Sequence, residues 1–75
     1  METFEGQVYE LVRDEELEWW QASIRNESGQ MSLTTTELEI KETLEESMNS
    51  GRSVTVTYRE GSESPIITSA TLSAD

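Results

Sequence analysis

Residues 34–59, TTTELEIKETLEESMNSGRSVTVTYR, hold the change of period that decides the fold. Ile40, Leu44 and Met48 recur every four residues, with Leu38 close to the same stripe. That spacing puts apolar side chains on one face of a helix over Glu37–Asn49. Thr36 as N-cap places Glu39 at the capping-box position, and Thr34 with Glu37 is the competing pair. Gly51 fits the left-handed position that ends a helix. The period then drops to two. Val54, Val56 and Tyr58 alternate with Ser53, Thr55, Thr57 and Arg59, which predicts a strand over Arg52–Arg59 with Tyr58 in the core.

Upstream lie three strand-like segments. In Phe4–Val12 the residues Phe4, Gly6, Val8, Glu10 and Val12 share one parity, read as the inner face. Glu10 spoils that face, and either a bulge near Tyr9 or a sheet edge rescues it. Tyr9 and Leu11 then lie outside. Asp14, Glu15 and Glu16 make a turn. In Leu17–Arg25, Trp20, Ala22 and Ile24 form the more apolar face. Neighbouring side chains on a strand point to opposite sides, so Trp19 is the outward tryptophan. Asn26-Glu27-Ser28-Gly29 is a turn. Gln30–Leu33 is a short third strand with Met31 and Leu33 inward. Downstream, Glu60–Pro65 is a polar loop and Ile66–Leu72 a last strand. Residues 73–75 are expected to fray.

The order is β-β-β-α-β-β, mainly β with one helix, in a single small domain spanning 1–75. It resembles the oligonucleotide/oligosaccharide-binding (OB) fold, a five-stranded Greek-key barrel with its helix between strands three and four. The resemblance is one of element order alone and implies no functional residues. The alternative is an α+β antiparallel sheet with the helix packed on one face.

Composition narrows function. The 75 residues carry 16 acids against five Lys and Arg, a net charge of -11, with no His and no Cys. A chain this short has one thin core and no cleft between domains. Without Cys there are no disulfides or thiolate chemistry, and without His no Ser-His-acid triad. No catalytic residues, cofactor or metal ligands are assigned. The cluster Asp14, Glu15, Glu16 and Glu18 lacks the spacing of a calcium loop. So acidic a surface repels phosphate backbones and anionic membranes. No apolar run reaches the roughly 20 residues of a membrane span. The N-terminus lacks the pattern of a secretory signal, so a cytoplasmic location is expected. Arg25, Arg52 and Arg59 are expected to pair with Glu side chains.

The leading expectation is a small acidic noncatalytic binding module, a protein–protein adaptor, regulator or inhibitor whose partner can be basic. Its candidate surface is Trp19 with Leu17, Tyr9, Leu11, Glu15 and Glu16. The acidic helix face is Glu42, Glu45 and Glu46. Three alternatives stand beside it. One is OB-like binding of single-stranded nucleic acid or sugar through an exposed aromatic, the nucleic-acid version opposed by charge. The second is mimicry of a nucleic acid by the carboxylates, blocking a basic protein. The third is self-association through the first or last strand of an open barrel, since Ile66–Leu72 has no charge to deter pairing.

Overall fold

The computed structural model describes residues 1–73. In chain order the elements are β1 (Glu2–Asp14), β2 (Trp19–Asn26), β3 (Gly29–Thr35), α1 (Leu38–Ser50), β4 (Val54–Arg59) and β5 (Ile66–Leu72). The strands close into a barrel in the order β1-β2-β3-β5-β4. This is the OB-like arrangement expected from the element order, with the helix between β3 and β4. The open α+β sheet is excluded.

Closure depends on a long first strand. Residues 2–6 of β1 pair with β4, and residues 7–14 pair with β2. Gly6 sits at the changeover. A Cβ there would lie 2.3 Å from the carbonyl oxygen of Arg25, so only glycine lets the backbones approach this closely. The register then slips between Val8 and Glu10, leaving Tyr9 as an extra residue. A bulge of this kind reverses the in–out alternation beyond it. Leu11 therefore turns inward, opposite Ala22, and packs against the core. Val12 turns outward and is 49% exposed, against the expectation that it lines the inner face. Glu10 stays in solvent, so the residue that broke the pattern marks the slip itself.

A second slip lies between Thr57 and Tyr58 of β4, where Thr68 is the extra residue of β5. The Thr68 hydroxyl donates to the carbonyl of Thr57 at 3.1 Å. Ile67 faces the core before the slip, and Ala70 and Leu72 pack against it afterwards. Neither parity of β5 is inner throughout. Tyr58 is half-buried and packs against the core from its rim. Burial pushes its phenol above the ordinary tyrosine value, with the Glu2 carboxylate and then Glu60 adding to the rise.

The third strand is longer than the sequence pattern indicates. The strand expected to end at Leu33 runs on through Thr34, the alternative N-cap, and Thr35, and both are buried. Thr34 closes the barrel. It forms the single parallel pair with Ile66, and its N–H donates to the carbonyl of Pro65 at 2.9 Å. Its hydroxyl donates to the same oxygen at 3.2 Å and accepts from Ser64 Oγ at 3.2 Å.

The N-cap of α1 is Glu37, and its side chain makes no capping bond. The expected boxes at Thr36 or Thr34 do not form, because β3 claims Thr34 and Thr35. The Thr35 hydroxyl instead accepts the Glu37 N–H at 3.1 Å. Gly51 ends the helix as expected, at φ 80°, its N–H bonded to the carbonyl of Ser47 at 3.0 Å. Ile40 and Leu44 are buried, and Met48 packs against the core. Leu38 is 57% exposed, correcting its place on the stripe: two residues before Ile40 is about 200° around the helix.

The core joins Val8, Ala22, Ile24, Leu33, Ile40, Leu44, Val54, Val56 and Ile67. A polar rivet fixes the helix to the barrel. The fully buried Ser47 hydroxyl donates to the carbonyl of Arg52 at 2.6 Å and accepts the Val8 N–H at 3.3 Å. At the chain's end, the Ser73 N–H bonds the Ser53 carbonyl at 2.8 Å, and Arg52 donates to the Ser73 carbonyl. Of the terminal residues expected to fray, 74 and 75 lie outside the described residues.

Candidate binding surface

Residues paired across an antiparallel ladder share a face. The outer face of β1, β2 and β3 can therefore be read row by row. Asp14 lies opposite Trp19 at the hairpin end. Val12, Gln21 and Thr34 form the next row, then Ser23 and Ser32 with Glu10, then Arg25 and Gln30. Tyr9, the bulged residue, joins this last row. Along β2 the face spans the seven residues from Trp19 to Arg25, about 20 Å.

The hairpin end is built by Asp14. Its Oδ1 accepts the N–H groups of Glu16 at 3.0 Å and Leu17 at 3.1 Å. This aspartate-nucleated turn lifts Leu17 off the barrel, where it is 46% exposed. Glu18 completes the turn at φ 56°, a left-handed conformation that a non-glycine residue seldom adopts. The result is an apolar group of Val12, Leu17 and half-buried Trp19, rimmed by Asp14, Glu15, Glu16 and Glu18. Trp19 keeps the outward parity expected of it, whereas Leu17, expected on the strand, lies in the turn before β2. Val12 was missed, and only the slip at Tyr9 exposes it.

At the opposite end, the Arg25 guanidinium lies 4.9 Å from the Tyr9 ring centroid. The Tyr9 hydroxyl donates to Gln30 Oε1 at 3.0 Å. Between the two aromatics the face is uncharged apart from Glu10, and Ser23 Oγ and Ser32 Oγ are 3.4 Å apart. Leu11 does not join this surface. The bulge sends it to the core side, where the expectation of an outer Leu11 is corrected.

Trp20 shares the inner parity with Ala22 and Ile24, yet it is only half-buried and lies beyond the core cluster. The guanidinium of Arg13, its ladder partner, is 4.7 Å from the Trp20 ring centroid. Two of the four arginines thus sit on aromatic rings, an attraction to the π face worth about 0.5–1 kcal/mol at exposed sites. The expected Arg–Glu pairs at Arg25, Arg52 and Arg59 are absent among the described residues. The ion pair present there is Lys41–Glu45, at 3.4 Å along the helix. The acidic rim of the hairpin therefore carries uncompensated charge.

On the helix, Glu42 and Glu46 are exposed and Glu45 holds Lys41. Glu37 and Glu39 line a shallow cavity of 260 Å³ with Ile40, Thr43, Thr68, Ser69 and Ala70. Two of its hydroxyls are already committed, Thr43 to the carbonyl of Glu39 and Thr68 to that of Thr57. Among the described residues no group of three or more acidic side chains is placed to hold a metal ion. No helix among them is long and apolar enough to cross a membrane.

Comparison with protein-family models, with curated proteins and with solved structures finds no match to this chain, so the surface is defined by its own geometry.

Proposed function

We propose that this barrel is a noncatalytic binding module that engages a protein partner, as an adaptor, regulator or inhibitor, through the outer face of β1, β2 and β3. The observation that carries the reading is the hairpin end. Exposed Val12 and Leu17 stand with half-buried Trp19 inside a rim of carboxylates that have no cationic partner among the described residues. An aromatic anchor within a charged rim is how protein interfaces concentrate affinity and choose partners. The complementary surface is apolar at its centre and basic at its edge. A net charge of -11 steers such a partner in and turns nucleic acids away.

A photo-crosslinking amino acid at Val12, with Thr55 on the far side of the barrel as control, tests this in extract of the source cell. Position 12 should give discrete products that fade with added salt and vanish in a Leu17→Ala, Trp19→Ala background. Identical products from both positions would overturn the assignment.

Sugar binding on the same face is the second reading. It is favoured by the uncharged side chains of Gln21, Ser23, Ser32 and Gln30, which occupy successive rows between two aromatic side chains. A saccharide titration that quenches tryptophan fluorescence, and loses its effect in Trp19→Ala, would support it.

A further inference from the structure

Barrel closure leaves one flank of β3 open. Its parallel pairing with β5 is confined to Thr34 and Ile66. Parallel strands run in the same direction, so β5 continues past the end of β3, alongside the helix. The earlier part of β3, Gly29–Leu33, has no strand partner besides β2 among the described residues. Thr34 points its N–H away from β2, toward Pro65. The β2–β3 ladder has no slip, so every second residue points the same way. The N–H and C=O groups of Gln30 and Ser32 therefore face outward, and no strand or loop among the described residues takes them up. Both residues are exposed.

Open strand edges are usually guarded by charge, proline or a bulge. The stretches of β1 that lack a neighbour on one side carry Glu2 and Glu5 in one half and Glu10, Arg13 and Asp14 in the other. By contrast β3 has no charged residue, no proline and no bulge. Only β3 and β5 lack charged residues among the six elements of this acidic chain, and the helix packs beside β5.

We propose that the Gly29–Leu33 edge pairs with the same edge of a second copy, forming an antiparallel two-stranded seam about a twofold axis at Met31. Gln30 of one copy then exchanges both backbone hydrogen bonds with Ser32 of the other, and symmetry repeats the pair. The lack of charge selects this occupant. A basic partner finds nothing to read on β3, whereas two copies bearing -11 each can meet there with no carboxylate opposite another. The seam is five residues long, so the dimer is weak and forms at high protein concentration. It does not rest on the partner-binding face proposed above, and salt separates the two. Screening weakens attraction to a basic partner and relieves repulsion between acidic copies.

Sedimentation equilibrium between about 0.05 and 2 mM protein, with amide exchange by NMR, tests the seam at a scale suited to a small interface. The mass should climb from 8.5 kDa toward twice that value, and association should tighten at least about threefold from low to 0.5 M NaCl. Protection should grow with concentration at the Gln30 and Ser32 amides. Two double variants control for folding, since both positions are exposed: Q30K with S32K, and Q30E with S32E. Each alone should stay monomeric, and their mixture should restore a dimer by pairing opposite charges across the seam. A monomer at every concentration and salt would overturn the proposal. So would a dimer that either charged variant leaves intact, which would put the contact elsewhere.

Discussion

At Tyr9 one extra residue in β1 reverses which side chains meet the core. Leu11 gains the interior and Val12 the surface, and the apolar group beside Trp19 exists because of that exchange. Other single residues bear comparable loads. Ser47 satisfies a buried N–H on β1 and a buried carbonyl after the helix. Ser47→Ala strands both, and should cost about 2 kcal/mol in chemical denaturation. Glu18 holds φ 56° in the turn that presents Leu17. Glu18→Gly relieves that conformation and removes one charge from a crowded rim, so stability should rise by about 0.5–1 kcal/mol. Tyr58 offers a pH-dependent check. Its phenol is held above the ordinary tyrosine value, so the folded state favours the neutral form. The associated stability is complete below the ordinary tyrosine value and is lost as pH rises through the raised one. A 295 nm titration of the folded protein should show one tyrosine ionising above the free amino acid, and Glu2→Gln should bring it down.

At the scale of elements, what the sequence revealed depended on whether a signal was local. The helix stripe Ile40, Leu44 and Met48, the stop at Gly51 and the alternation in Val54–Tyr58 need only neighbours a few residues away, and all were legible. The ends of β3 and α1 were not. Thr34 and Thr35 look like a helix start, but Thr34 is taken by Pro65 and Ser64, some thirty residues on. Strand β5 has no single inner parity for a related reason, because its inner face changes at a bulge set against β4. On the proposed surface the outward parity of Trp19 was legible and the exposure of Val12 was not, since the choice between a bulge and a sheet edge near Tyr9 is made by β2. The lost capping box has a measurable consequence. Glu37 has the extended backbone of an N-cap without its hydrogen bond, so Glu37→Ser should add about 0.5–1 kcal/mol.

For the whole molecule, charge is the dominant unbalanced quantity. The chain bears -11, and its described carboxylates show one ion pair, Lys41–Glu45. Arg13 and Arg25 lie on rings rather than beside acids. Self-repulsion should therefore destabilise the barrel at low ionic strength, and the thermal midpoint should rise with NaCl. A flat midpoint between low and physiological salt would mean that the acids are dispersed enough not to matter.

Both the closed barrel and the surface built on it depend on the slip at Tyr9 and the junction at Thr34, and nuclear Overhauser contacts in the assigned protein report on each. A closed, bulged barrel requires contacts from the Thr34 amide to Pro65 and Ile66, from the Leu11 methyls to Ala22, and none from the Val12 methyls to the core. Core contacts from Val12 with Leu11 in solvent, or silence between Thr34 and Ile66, would contradict it.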